Sequence, residues 1–176
     1  ELNPERAPLT VANFLGYVKE GHYTNSLFHR VIANFMIQGG GLTAQYTLKP
    51  VHPPIPNESG NGLQNVRGAV GLARTAAPHS GDAQFFVNVG NNADLDPLPT
   101  RWGYTVFGKV VEGMDVVDRI SVQPTGAVAT LKSDVPLTPV VIRSIELIGA
   151  PPATTPAAPA LAPVATPAEP PTPPGQ

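Results

Sequence analysis

The sequence predicts a mainly β domain in which many short strands close into a barrel and two helices plug its ends. Six segments carry the β signal: SLFHRVI, FMIQGG, VRGAVGLA, QFFVNV, YTVFGKVV and VVIRSIELI. Each is short, rich in β-branched and aromatic residues, and bounded by Gly, Pro, Asn or Asp clusters, which end strands by removing donors or demanding turn conformations. Only two stretches have helical period, and no internal repeat offers another architecture.

Taken in order, Val11, Phe14, Leu15 and Val18 fall at i, i+3, i+4 and i+7 and form one apolar stripe of a helix. Thr10 is the expected N-cap and Gly21 the expected stop. The strands SLFHRVI and FMIQGG follow, and Gly39-Gly40-Gly41 reads as a flexible turn. The region Leu42 to Leu63, with the four prolines of KPVHPPIPNESGNG, is expected to be a surface loop. A second, shorter helix is expected over Gly113 to Ile120, with Val116, Val117 and Ile120 as its apolar positions. Beyond Gly149 the composition collapses to Pro, Ala and Thr, with Glu169 as the only charge. Such a segment cannot bury a core, and its prolines remove backbone donors. Residues 1–149 are therefore assigned to the domain and 150–176 to a disordered, polyproline-like tail.

Bulk properties narrow the function. The 176 residues carry a formal net charge of −2 and no cysteine. That charge gives no footprint for nucleic acid, and without thiols there is no disulfide, thiolate metal site or cysteine nucleophile. No apolar run approaches the ~18 residues of a spanning helix. The chain opens on Glu1 without a signal-peptide pattern, so it is read as a processed or excised piece whose targeting signal would lie in the missing part.

Strand alternation then collects the unusual residues. Phe28, Arg30 and Ile32 share one face of their strand, Met36 and Gln38 one face of theirs, and Gln84 and Phe86 one face of a third. If these strands are neighbours, one sheet face presents Arg30, Met36, Gln38, Gln84 and Phe86: an apolar floor with one fixed cation and two amides. That is the composition of a groove for a small molecule or peptide. Other chemistries lack their signatures. His22, His29, His52 and His79 have no metal-ligand spacing, and there is no GxSxG elbow. His79, Ser80 and Asp82 lie too close in sequence for a triad, and the glycine run lacks the Lys-Ser/Thr of a phosphate loop.

The strings FHRVIANFMIQGG, GLARTAAPHSGDAQFFVNV and YTVFGKVVEGMDVVDRI, in this order, resemble the cyclophilin family of peptidyl-prolyl cis-trans isomerases, and most closely its bacterial members. The resemblance covers Glu1 to Gly149. It implies an eight-stranded antiparallel barrel capped by two helices, with the first strand and most of the second missing from this chain, which leaves an open edge beside the last strand. By position, Arg30 matches the catalytic arginine of the family. Phe35, Met36 and Gln38 match residues that line the proline pocket and hold the peptide backbone. Ala73, Gln84 and Phe86 match peptide-binding positions, Leu95 the leucine closing the pocket, and Tyr104 a position that is histidine in many eukaryotic members.

The activity so implied is rotation of X–Pro bonds in peptides and folding proteins, with no cofactor and no metal; the alternative is a non-catalytic proline-binding module or chaperone on the same fold. Partners are proline-containing peptides and unfolded or folding proteins, and a monomer is expected. Asp94 stands where tight cyclosporin binders carry tryptophan, implying weak cyclosporin binding. The PPIPNE loop and the GLQNVRGAVGLARTA stretch are similar to envelope-associated bacterial isomerases, favouring the periplasm or cell envelope over the cytoplasm. The Ala-Pro and Thr-Pro bonds of the tail are themselves potential occupants of the groove.

Overall fold

The computed structural model describes residues 1–149; the expected tail lies outside them. Strands β1 (Ser26–Ile32), β2 (Met36–Thr43), β3 (Ala69–Leu72), β4 (Phe85–Asn88), β5 (Val106–Lys109) and β8 (Val141–Ile142) form one antiparallel sheet in the order β5-β3-β4-β2-β1-β8. Strands β6 (Thr125–Val128) and β7 (Leu131–Pro136) pair separately as a hairpin lying against β1. That hairpin is absent from the sequence expectation, because its turn at Ala129 carries neither the Asn-Gly nor the Asp-Gly signal.

Helix α1 (Pro8–Lys19) starts earlier than its expected cap. Proline at its first position needs no hydrogen bond there, and Thr10 lies inside the helix, fully buried. Its capping group comes from the long loop instead. The Glu58 carboxylate accepts hydrogen bonds from Leu9 N (3.1 Å), Thr10 N (2.8 Å) and Thr10 Oγ1 (2.7 Å). One side chain thus satisfies two of the free N–H groups of the first turn and sits at the positive end of the helix dipole. Gly21, at φ +69°, ends the helix as expected. Helix α2 (Met114–Ser121) also forms where expected; Val117 and Ile120 pack on the sheet, while Val116 faces solvent.

The core has two parts. Val11, Phe14 and Tyr17 of α1 pack on Tyr23, Phe85 and Phe107, with the Phe14 ring 5.1–5.6 Å from those of Tyr23, Phe107 and Phe85. Under α2 lies a row drawn across the sheet: Val31 opposite Ile37, Ile37 opposite Val87, and Val87 opposite Val70.

Two expectations are corrected. Gly39, Gly40 and Gly41 belong to β2 rather than to a turn. The final strand is a two-residue ladder, Val141–Ile142, where a nine-residue strand was expected. Its ladder partner is β1, and no ladder joins β8 to β5 among the described residues. Leu2 bridges to Gly108 at the edge of β5, and between that edge and Ile145 an apolar hollow of about 660 Å³ opens onto Val11, Phe14, Leu15 and Val18 of α1.

Glu58→Ala should cost about 2 kcal/mol of stability, from a lost cap and lost charge-assisted hydrogen bonds. Urea unfolding should show a lower midpoint at an unchanged slope; an unaltered midpoint would show that the carboxylate does not hold α1.

Candidate functional site

The next row of the same ladders faces away from the core. Arg30 of β1 stands opposite Gln38 of β2, Gln38 opposite Phe86 of β4, and Phe86 opposite Gly71 of β3. Because side chains alternate along a strand, this row is separated from the Val31–Ile37–Val87–Val70 core row by one residue. A β-bulge in β1 sets its start: two residues, Phe28 to Arg30, span the single step from Gly39 to Gln38 on β2. Phe28 therefore does not share the face of Arg30 as alternation alone predicts. It packs into the core, its ring 6.0 Å from that of Phe85.

Two positions in the neighbourhood lack side chains for steric reasons. A Cβ on Gly71 would overlap the Phe86 ring, and one on Gly41 would lie 2.6 Å from the Gln84 amide carbon. These absences let Phe86 lie flat as a floor and let the Gln84 side chain reach along the groove. The Gln38 amide donates to Gln84 Oε1 at 3.0 Å, so the two amides are held by one another.

Loops supply the walls. Phe35 lies in the turn between β1 and β2, and its carbonyl accepts from Val89 N (2.9 Å) and Asn92 Nδ2 (2.8 Å). Leu95 sits on a short 3-10 turn, Ala93–Leu95, and its carbonyl accepts from Tyr104 N at 2.8 Å. The loop is fixed from beneath by Asp96, whose Oδ1 accepts from Asn65 N (2.8 Å) and Nδ2 (2.9 Å). Met36, Ala73 and Phe86 form a small buried cluster with Ile32, Phe35, Leu95 and Tyr104 packed on it. The Tyr104 ring meets Phe86 edge-on at 5.9 Å.

The expected residues are thus brought together. Arg30, Phe35, Met36, Gln38, Ala73, Phe86, Leu95 and Tyr104 all border one hollow of about 80 Å³. Gln84 borders a second, of about 180 Å³, that shares Gln38, Ala73 and Arg74 with the first. The two hollows make a continuous groove: an apolar seat at one end, amides in the middle, and the polar side chains of Thr75, Ser80 and Asp82 at the other.

Arg74 is the wall residue that the sequence reading missed. Its guanidinium lies 4.4 Å from the Tyr104 ring centroid and donates to the carbonyls of Gly103, Trp102 and Thr75. Its position directly after Ala73 was the available signal. The Arg30 guanidinium, about half exposed, makes no hydrogen bond to the described residues; its ion-pair partner is Asp134, with Nε 3.7 Å from Oδ2. Behind Arg30, His29 is buried with no normal hydrogen bond at Nδ1. Burial lowers its pKa; the Leu27 backbone opposes the shift and the Arg30 charge adds to it. Among the described residues no cluster of His, Asp or Glu is arranged to hold a metal ion, and no helix is long and apolar enough to cross a membrane.

On this sheet an apolar seat, two paired amides and a half-exposed guanidinium, ion-paired to Asp134, lie along one groove. Comparison with known proteins agrees. A family model described as "Cyclophilin type peptidyl-prolyl cis-trans isomerase/CLD" matches residues 1–147. The chain is 52% identical over 152 residues to peptidyl-prolyl cis-trans isomerase cyp18 of Streptomyces antibioticus, covering 85% of this chain and 91% of that protein. It is 50% identical over 144 residues to peptidyl-prolyl cis-trans isomerase B of Escherichia coli (strain K12), covering 80% and 87% respectively. A cyclophilin-type isomerase of Cryptosporidium parvum, solved in the presence of the dipeptide Ala-Pro, shares the fold with a TM-score of 0.68 at 23% identity, over 85% of this chain and 91% of that one. The chain belongs to the cyclophilin-type peptidyl-prolyl cis-trans isomerases. Its reaction is the cis-trans isomerisation of X–Pro peptide bonds.

Gly71→Ala should displace the Phe86 ring, costing about 1–3 kcal/mol of stability by overpacking. An Ala-Pro peptide titrated by NMR should then bind roughly tenfold more weakly, which is about 1.4 kcal/mol. Affinity equal to that of the parent would mean that Phe86 is not the floor of the seat.

Proposed function

We propose that the groove seats the prolyl ring of an X–Pro peptide against Phe35, Met36, Phe86 and Leu95, and that Arg30 is the catalytic residue. The observation that carries this reading is the cross-strand order Arg30–Gln38–Phe86, which sets a cation, an amide and an apolar floor side by side. An X–Pro bond isomerises unaided in tens to hundreds of seconds because C–N resonance imposes a barrier of about 18–20 kcal/mol. Reaching millisecond turnover requires about four to five decades, or roughly 6–7 kcal/mol.

No bond is made or broken in the substrate backbone, so the protein has to favour the twisted amide over both planar forms. As the C–N bond rotates, resonance is lost and the prolyl nitrogen becomes pyramidal with a localised lone pair. The Arg30 guanidinium donates a hydrogen bond to that lone pair, an interaction that the planar ground state cannot accept. Gln38, oriented by its bond to Gln84, holds the flanking backbone so that one side of the amide turns while the other stays fixed. The apolar seat excludes water, which strengthens the donation in the transition state. Arginine suits the role because it stays charged and presents several donors in a rigid plane.

The substrates are proline-containing peptides and unfolded or folding proteins, a reading supported by the Ala-Pro dipeptide present with the Cryptosporidium parvum relative. Resemblance of residues 53–58 and 62–76 to envelope-associated isomerases supports the periplasm or cell envelope as its location.

Arg30→Ala should lower kcat/KM for an Ala-Pro peptide at least hundredfold, about 2.7 kcal/mol, with a spectrum as dispersed as that of the parent, since the side chain is about half exposed. NMR exchange spectroscopy reads both quantities in one sample, and parent-like exchange would remove Arg30 from catalysis. Cyclosporin should bind weakly because exposed Asp94 offers neither an indole N–H nor an apolar face. Asp94→Trp should tighten binding, and micromolar or tighter titration of the unmodified protein would contradict the reading.

A further inference from the structure

The β6–β7 hairpin belongs to neither the main sheet nor the walls of the groove, yet it places one carboxylate beside Arg30. Asp134 Oδ2 lies 3.7 Å from Arg30 Nε, and among the described residues it is the one carboxylate within ion-pair distance of that guanidinium. The backbone that presents it is unusual. Asp134 has φ +62°, in the left-handed region where few residues other than Gly, Asn and Asp are at ease. The next two residues, Val135 and Pro136, are buried and pair with Gly126 and Thr125. The carboxylate therefore leaves an anchored strand at a fixed angle, and Ser133 Oγ donates to the same Oδ2 at 3.1 Å.

We propose that Asp134 is a positioning residue for catalysis, holding the Arg30 guanidinium by its Nε edge so that the rest of the donor fork faces the bound X–Pro amide. The proposal rests on the reading of Arg30 as the catalytic group. Two magnitudes support it. An ion pair with side chains 46% and 36% exposed contributes little to folding, about 0–1 kcal/mol at most. A free arginine side chain, by contrast, carries about 2 kcal/mol of rotamer entropy that is lost when its guanidinium must meet one atom. The Arg30 guanidinium has no hydrogen bond to the described residues that would reduce that loss. A neighbour that restricts the side chain before substrate arrives acts on the rate and leaves peptide binding to the apolar seat.

The test is Asp134→Asn, which removes the charge while keeping a residue that accepts the left-handed backbone. Expected is a roughly three- to tenfold fall in kcat for an Ala-Pro peptide, with KM and the urea midpoint unchanged. Combined with Arg30→Lys, whose compact ammonium has no Nε edge to hold, the same substitution should change kcat less than twofold. If kcat is unchanged or rises, Asp134 does not position Arg30; a rise would mean that it screens the cation instead. A fall of equal size in the Arg30→Lys background would assign the effect to the hairpin rather than to the pair, and would equally overturn the proposal. Failure of the underlying reading is a separate result, because it would appear as full activity in Arg30→Ala.

Discussion

The site depends on the placement of β2 between β1 and β4. Each ladder across this trio carries two rows of opposite character. One row, Val31, Ile37, Val87 and Val70, closes the core beneath α2. The other, Arg30, Gln38, Phe86 and Gly71, builds the groove. A one-residue slip of β2 would exchange its own members of the two rows, burying the Gln38 amide and exposing Ile37. The hydrophobic effect that fixes the register for stability is thus the same force that aligns the groove residues. The bulge at Phe28 and Arg30 lets β1 serve both ends, since Phe28 remains in the core while Arg30 turns outward.

The strands alone would give an open floor without walls. Walls come from loops, and loops lack the ladders that make strands rigid, so the molecule holds them with polar side chains from distant positions. Asp96 is tied to Asn65, Arg74 to the backbone at Trp102 and Gly103, and the Asn92 amide to the Phe35 carbonyl. The same device anchors α1, where Glu58 reaches across 48 positions of sequence to Thr10. Each such bond satisfies a group that would otherwise be unpaired close to the interior, and each converts a mobile segment into a surface of set shape.

A groove of this kind performs a reaction that needs little chemistry. With no covalent intermediate there is no requirement for a perturbed nucleophile, a metal or a relay of protons. What is required is one strong donor where charge localises, a grip on one side of the turning bond, and exclusion of water. In the reading proposed above, one arginine, one pair of amides and four apolar side chains would share that labour, which fits a site with so few unusual residues.

Much of this was legible in the chain. The stripe of α1, the position of α2, the strand segments and the common face of Arg30, Met36, Gln38, Gln84 and Phe86 follow from local period and composition, because side-chain direction is fixed by backbone geometry within a few residues. Family-like strings added Phe35, Ala73, Leu95 and Tyr104, whose partners lie far away in sequence. Left to the tertiary structure were the features in which distant segments decide the outcome. Thr10 lost the cap to Glu58; the three glycines lie in β2, where Phe28, Tyr23 and Gln84 occupy the space their side chains would need; Phe28 was turned into the core by a bulge; and the last strand pairs over two residues only. Arg74 and Asp134 reached the site by the same route. Local sequence determines which way a side chain points, but its partner is set by packing between segments that only the folded chain brings together.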